Sequence, residues 1–291
     1  MIETNKDKLV KIAVLGEIVS PTSGPYRTTW DGKPKMSIGG GGIKYNLKVG
    51  DPCFGWANGD HVEPGVVLQG KEKPSPGDCA LPILSCIGNE AVVMTGDAAG
   101  AKGFYVGRHA GAHDMVWFPD EVLEKLCIGD KVQVKACGVG LKIKGFEDVK
   151  VNKCDPSLLE KLGIIVESGK LVVPVVGEFP GFLMGSGIGS APIVESVDYD
   201  IQTTCPDAIK KYGIDKLRLG DVVALKDQYD VYGRGYYKNA LTVGVVIHGM
   251  SDYSGHGPGV DPILSTKDGK IVTRIEPNAN IAYYLGIRKP K

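Results

Sequence analysis

Five histidines, His61, His109, His113, His248 and His256, are the whole imidazole complement of this 291-residue chain, and each lies in or beside a glycine-bearing segment. Imidazole is the commonest side chain for metal ligation and for proton transfer near neutrality, and loops held on a rigid scaffold are where such groups gather. The segment Gly55-Trp-Ala-Asn-Gly-Asp-His-Val-Glu-Pro-Gly65 places Asp60, His61 and Glu63 close together. If it is extended, His61 and Glu63 share one side and Asp60 faces the other, so His61 with Glu63 could meet a metal, or Asp60 could serve separately as a base. The segment Gly107-Arg-His-Ala-Gly-Ala-His-Asp114 has the H-x-x-x-H spacing of zinc proteases. It lacks the glutamate after the first histidine and carries Gly107 and Gly111, which argue against a helix, but a loop could still fold both histidines onto one ion or substrate. Arg108 beside them has the donor fork that suits a carboxylate or phosphate. From Val246 to Val260, a strand ends in His248 and a loop with Asp252, Ser254 and His256 follows among glycines, which let a substrate approach the backbone closely.

These residues predict a hydrolytic site for a small polar molecule around a divalent metal, zinc, manganese or iron. His61, His109, His248 and His256 are the expected metal ligands, and Asp60, His61 and His256 the expected catalytic groups. Arg108, Ser254 and Gly187 are the expected substrate contacts. An ion lowers the pKa of its bound water, and Arg108 or loop amides neutralise charge that develops on the substrate. Gly187 belongs to Met184-Gly-Ser-Gly-Ile-Gly-Ser190, which has serine where a dinucleotide fingerprint needs its last glycine; Ile38-Gly-Gly-Gly-Gly-Ile43 lacks the Lys-Ser/Thr of a P-loop. No nucleotide cofactor is expected, although a backbone nest for a small anion fits the first run. Asp198 and Asp200, two apart, would share one face of a strand, as a carboxylate pair or as solvated edge residues. The competing reading is a non-catalytic metabolite-binding or oligomeric scaffold protein, with Trp30, Trp56, Tyr232, Tyr236 and Tyr237 at an interface.

The elements that must position these groups are short. Glycine, at 41 residues, is about twice its usual share, and with 18 prolines it punctuates nearly every apolar stretch. Strands are expected at 11–19, 91–95, 115–118, 131–136, 171–176, 198–203, 222–226, 241–248 and 270–275, from β-branched or alternating patterns. Proline-led helices are expected at 119–126, 156–162 and 206–212, with another at 278–285. Phe118 to Val134 and Cys205 to Leu225 echo each other as proline, short helix, Gly-Asp turn and strand, and Leu47 to Phe54 repeats the turn alone. The expected fold class is therefore mainly β, with barrel or sandwich units, a few short helices and two related β-rich parts, 1–165 and 166–291.

Equal numbers of basic and acidic residues, 34 each, leave no net attraction for nucleic acid. No apolar run approaches the length needed to cross a bilayer, and the N-terminus carries no export signal. Seven cysteines without a C-x-x-C pair point to a reducing cytoplasm. The expected partners are a small-molecule ligand and further copies of the chain in a homo-oligomer, with neither nucleic acid nor membrane.

Taken together, Gly59-Asp-His-Val-Glu-Pro-Gly65, Gly96-Asp-Ala-Ala-Gly-Ala-Lys-Gly103, Met184-Gly-Ser-Gly-Ile-Gly189, Asp198-Tyr-Asp-Ile-Gln202 and Gly255-His-Gly-Pro-Gly-Val260 resemble a family catalogued as domain of unknown function 4438. The resemblance covers nearly the whole chain and implies a mostly β, barrel-containing protein; it transfers no catalytic residue. The family pattern has His-Gly-Gly near residue 109, where this chain has His109-Ala-Gly111.

Overall fold

The computed structural model describes residues 2–21, 26–70, 80–109, 113–189, 195 and 197–290. The first half of the chain forms β1 (Ile12–Ile18), β2 (Arg27–Thr28), β3 (Pro34–Lys35), β4 (Val66–Gln69), β5 (Glu90–Val93), β6 (Lys102–His109), β7 (His113–Trp117), β8 (Lys131–Ala136) and β9 (Lys150–Val151). The second half forms β10 (Ile165–Glu167), β11 (Lys170–Val175), β12 (Gly177–Phe179), β13 (Tyr199–Asp200), β14 (Val222–Asp230), β15 (Arg234–His248), β16 (Gly259–Thr266) and β17 (Ile271–Ile275).

Alternation closes the first sheet on itself. Val132, Val134 and Ala136 of β8 are buried between exposed lysines, and Val134 faces Val14 of β1 across the ladder. The order β1-β4-β7-β6-β5-β8 is antiparallel throughout and returns from β8 to β1, which leaves this barrel no unpaired edge. The second half opens into a sheet ordered β12-β14-β15-β16-β13, with β9 paired on β16, and into a smaller sheet ordered β10-β11-β17. The mainly β, barrel-containing fold expected from the sequence is what the chain adopts. Among the described residues no helix is long and apolar enough to cross a membrane.

The echoed Gly-Asp turns are built alike. Asp51, Asp130 and Asp221 each accept a hydrogen bond from the backbone N–H three residues earlier, at 2.7, 2.8 and 2.8 Å, after a glycine with φ of +95°, +94° and +86° respectively. The carboxylate closes the turn, and the glycine supplies a backbone angle that a Cβ resists. Short helices form where prolines announce them, Asp120–Leu123, Pro156–Lys161 and Pro206–Tyr212, and another forms at Ile281–Tyr284. A fifth, Ala80–Leu84, had no such signal.

Strands β2, β3, β4, β6, β9, β10 and β12 were not among those expected, and two further stretches depart from expectation. Of 198–203 only Tyr199–Asp200 joins a ladder, because its partner strand β16 begins at Gly259, opposite Asp200. The loop expected to reach Val260 instead gives way to β16, buried along its whole length, with Pro262 at a register shift where a missing N–H is tolerated.

Barrel and open sheet meet along a seam in which β6 lies against β15 and β16. One hydrophobic cluster runs through both, from Val14 and Val134 to Val245 and Ile263. Gly107 makes this approach feasible, since its φ is +137° and a Cβ there would sit 2.4 Å from Cγ2 of Ile247. Gly107→Ala should therefore lower the unfolding free energy by about 2–3 kcal/mol through overpacking and backbone strain. Urea denaturation measures this, and an unchanged midpoint would show that the seam is not close-packed at residue 107.

Candidate metal centre

The rim of the seam collects all five histidines. His109 closes β6 and His113 opens β7, directly opposite each other in the antiparallel ladder. The i, i+4 spacing is thus met by a hairpin, whose residues 110–112 lie outside the described residues. His248 ends β15 and is fully buried. Its neighbour across the sheet is Gly259, which also faces Asp200 of β13. A Cβ on Gly259 would fall 2.1 Å from Nε2 of His248 and 2.5 Å from Oδ2 of Asp198, so glycine keeps the space in which these side chains meet. His61 lies in the loop before β4 with φ +48°, an unusual angle for a residue with a Cβ, and its N–H is anchored on the carbonyl of Met250 at 2.9 Å. His256 comes from the β15–β16 loop, where its carbonyl accepts from both the amide and the hydroxyl of Thr203.

Outer acceptors fix four of the five rings. Nδ1 of His61 faces Oδ2 of Asp60 at 3.0 Å, and Nδ1 of His248 faces the carbonyl of Gly249 at 2.9 Å. Nδ1 of His109 and of His113 both face Oε1 of Glu63, at 2.5 and 2.6 Å. A ring whose Nδ1–H donates outward keeps the Nε2 lone pair for a ligand, which is how metal-binding histidines are oriented. Inside, Nε2 of His248 lies 2.9 Å from Oδ2 of Asp198 and 3.4 Å from Oδ1 of Asp200. Oδ2 of Asp200 lies 2.8 Å from Nδ1 of His256 and 3.7 Å from Nε2 of His61. Among the described residues, four overlapping groups could hold an ion: His61, His109 and His248; His61, Asp200 and His256; Glu63, His109 and His113; and Asp198, Asp200 and His248.

The electrostatics fit a site built for positive charge. Burial works against ionising Asp198 and Asp200, yet hydrogen bonds from His248 outweigh it and hold both below the usual aspartate range. Burial likewise disfavours a charged His248, but Asp198 and Asp200 raise it well above 6.5. His61 is raised by Asp200 and Asp60 against the same desolvation, whereas burial and the neighbouring His248 charge pull His109 down. Glu63, fully buried, is kept well below its ordinary value by His109 and His113 despite desolvation. Its second oxygen accepts from the amide of Gly41 at 2.7 Å and lies 3.4 Å from Nζ of Lys44.

Family models described as domain of unknown function (DUF4438), N-terminal and C-terminal, match residues 26–160 and 161–285. The chain belongs to the DUF4438 family. It is also similar to the crystal structure of TM1086, with 46% identity, a TM-score of 0.92, and coverage of 97% of this chain and 99% of that one. Comparison with curated proteins gives no match.

In this DUF4438 protein the four expected ligands His61, His109, His248 and His256 come together. Asp60 stands behind His61, occupied by its Nδ1–H, the hydroxyl of Ser251 and the amide of Asp252. Arg108 is buried on Asp114 at 2.5 Å, while its amide donates to Asp261 at 3.1 Å. Ser254 is exposed, and Gly187 packs against the backbone of Asp198. The expectation that His61 and Glu63 share one side does not hold: with positive φ at His61 the segment is not extended, so His61 turns to Asp200 and His256 while Glu63 turns to His109 and His113. Edge solvation of Asp198 and Asp200 is also corrected, since both are 3% exposed. Asp198, Asp200, Glu63 and His113 are the site residues that fell outside the expected ligand set; the i, i+2 aspartate pair was their clearest signal.

Asp60 titrates at about 2 in the fold because His61 and Ser251 outweigh its desolvation, against an ordinary 3.8. Its ionised form therefore stabilises the native state above pH ~4, and the effect is lost as pH falls through about 2. In metal-stripped protein, Asp60→Asn should cost about 2 kcal/mol at pH 7, with the gap to wild type closing between pH ~4 and ~2. Denaturant titrations across that interval test this, and a gap independent of pH would remove the Asp60–His61 pair as its source.

Proposed function

We propose that this DUF4438 protein is a divalent-metal-dependent hydrolase of a small polar molecule. The observation that carries the reading is the set of outward Nδ1 contacts in His61, His109, His113 and His248, which leaves Nε2 of His61 and His248 beside the Asp198 and Asp200 carboxylates. Imidazole and carboxylate donors without thiolate suit zinc, manganese or iron. A bound ion supplies an acidified water and polarises the bond to be split.

The chain's own groups divide the remaining work. His61, His248, Asp198 and Asp200 bind, and Asp60 and Glu63 hold rings in one tautomer and orientation. His256, with 35% of its side chain exposed and Nδ1 2.8 Å from Oδ2 of Asp200, is the solvent-facing donor of the cluster. Tyr253 stacks edge-on against His256 with ring centroids 5.9 Å apart, and the exposed Arg27 lies 5.1 Å above the Tyr253 ring. That pair gives an anionic substrate group a landing point beside Ser254, a role Arg108 is too deeply paired to fill.

Protein purified without an affinity tag should contain zinc, manganese or iron in stoichiometric amount, measured by plasma mass spectrometry. His61→Ala and His248→Ala should each at least halve the bound metal under identical dialysis. Absence of metal from wild-type protein after loading with each of the three ions would end the reading.

A further inference from the structure

We infer that the cluster is a two-ion centre in which Asp200 bridges the ions, one oxygen to each. This rests on the metal reading above and goes beyond it in the number of ions and in the residue that joins them.

The first position lies among Nε2 of His61, Nδ1 of His256 and Oδ2 of Asp200, separated by 3.1, 2.8 and 3.7 Å. A triangle with these sides has a point about 1.9 Å from all three atoms, close to the roughly 2.0–2.2 Å of zinc–nitrogen and zinc–oxygen bonds. The second position lies among Nε2 of His248, Oδ2 of Asp198 and Oδ1 of Asp200. His109 borders it, its ring centroid 4.2 Å from that of His248. Asp200 thus offers a different oxygen to each set, the arrangement of a bridging carboxylate, and two-ion hydrolytic sites hold their metals about 3.5–4 Å apart.

Two further observations favour a pair over a single ion. The space between His248 and Asp198 is reserved by Gly259, the first residue of β16, where a Cβ would fall 2.1 Å from Nε2 of His248 and 2.5 Å from Oδ2 of Asp198. Four buried carboxylates, Asp60, Glu63, Asp198 and Asp200, also converge on the cluster, with Lys44 against Glu63 as the lysine partner within it. Buried carboxylates in this number need donors or cations around them, and a second ion would add to what one ion and Lys44 supply. The ligands suit Mn²⁺, Fe²⁺ or Zn²⁺ in both positions.

The full chain, stripped with a chelator and titrated with Mn²⁺, tests the inference by equilibrium dialysis and electron paramagnetic resonance. Two ions per chain are expected, with an exchange-coupled spectrum at saturation. Asp198→Asn and His256→Ala are each expected to retain one ion and lose the coupled signal, and Asp200→Asn to abolish the coupling. One ion per chain in saturated wild-type protein would overturn the pair while leaving the hydrolase reading standing, and no bound ion would end both. Two ions with an uncoupled spectrum in the wild-type protein would overturn the Asp200 bridge, whether or not any variant folds.

Discussion

Burying Asp198 and Asp200 beside a buried His248 is the constraint on which the rest of the structure depends. Carboxylates this far from water are tolerated only where donors or cations surround them, so segments distant in the chain must deliver those partners. The sheet order answers the demand. With β16 between β15 and β13, His248 and Asp200 can face each other only across a residue without a side chain, and Gly259 occupies that point. His61 and His256 then arrive on loops whose backbones are pinned by Met250 and Thr203.

Beneath the centre, a second set of buried charges ties barrel to sheet. Lys153 reaches the hydroxyl of Tyr105 at 3.2 Å and Asp261 at 3.5 Å, and Tyr105 donates to Asp114, which also takes Arg108. Burial raises Asp261 to about 6 even though Lys153 and Arg234 oppose the shift. Such networks hold one geometry because each member left unpaired is costly. Here β6 is the shared member: its Arg108 amide bonds Asp261 of β16 while the next residue, His109, enters the histidine and carboxylate cluster. The position of that histidine is thus tied to the docking of the two halves.

Much of this architecture was legible in the sequence because the signals were local. The strand at 131–136 alternates as written, the proline-led helices form, and the three Gly-Asp turns share one hydrogen bond. The histidines were legible as types, since rings among glycines have little to pack against. Their grouping was not, because which ring meets which carboxylate is decided by sheet order and by seam packing. Glu63 shows the difference. Its proximity to His61 in sequence suggested a shared ligand role, whereas a single left-handed residue sends it to the opposite wall, beneath His109 and His113. The aspartates at 198 and 200 were visible as a same-face pair, but their burial depends on β16 as a neighbour, and its Pro262 and flanking glycines disguise that strand.

The cluster draws evenly on the two family-model segments. His61, Glu63, His109 and His113 lie in the first, and Asp198, Asp200, His248 and His256 in the second. The set His61, Asp200 and His256 draws on both segments, whereas Asp198, Asp200 and His248 all lie in the second and Glu63, His109 and His113 all in the first. Separated polypeptides would have to reassemble along the β6 face before His61 could meet Asp200 and His256.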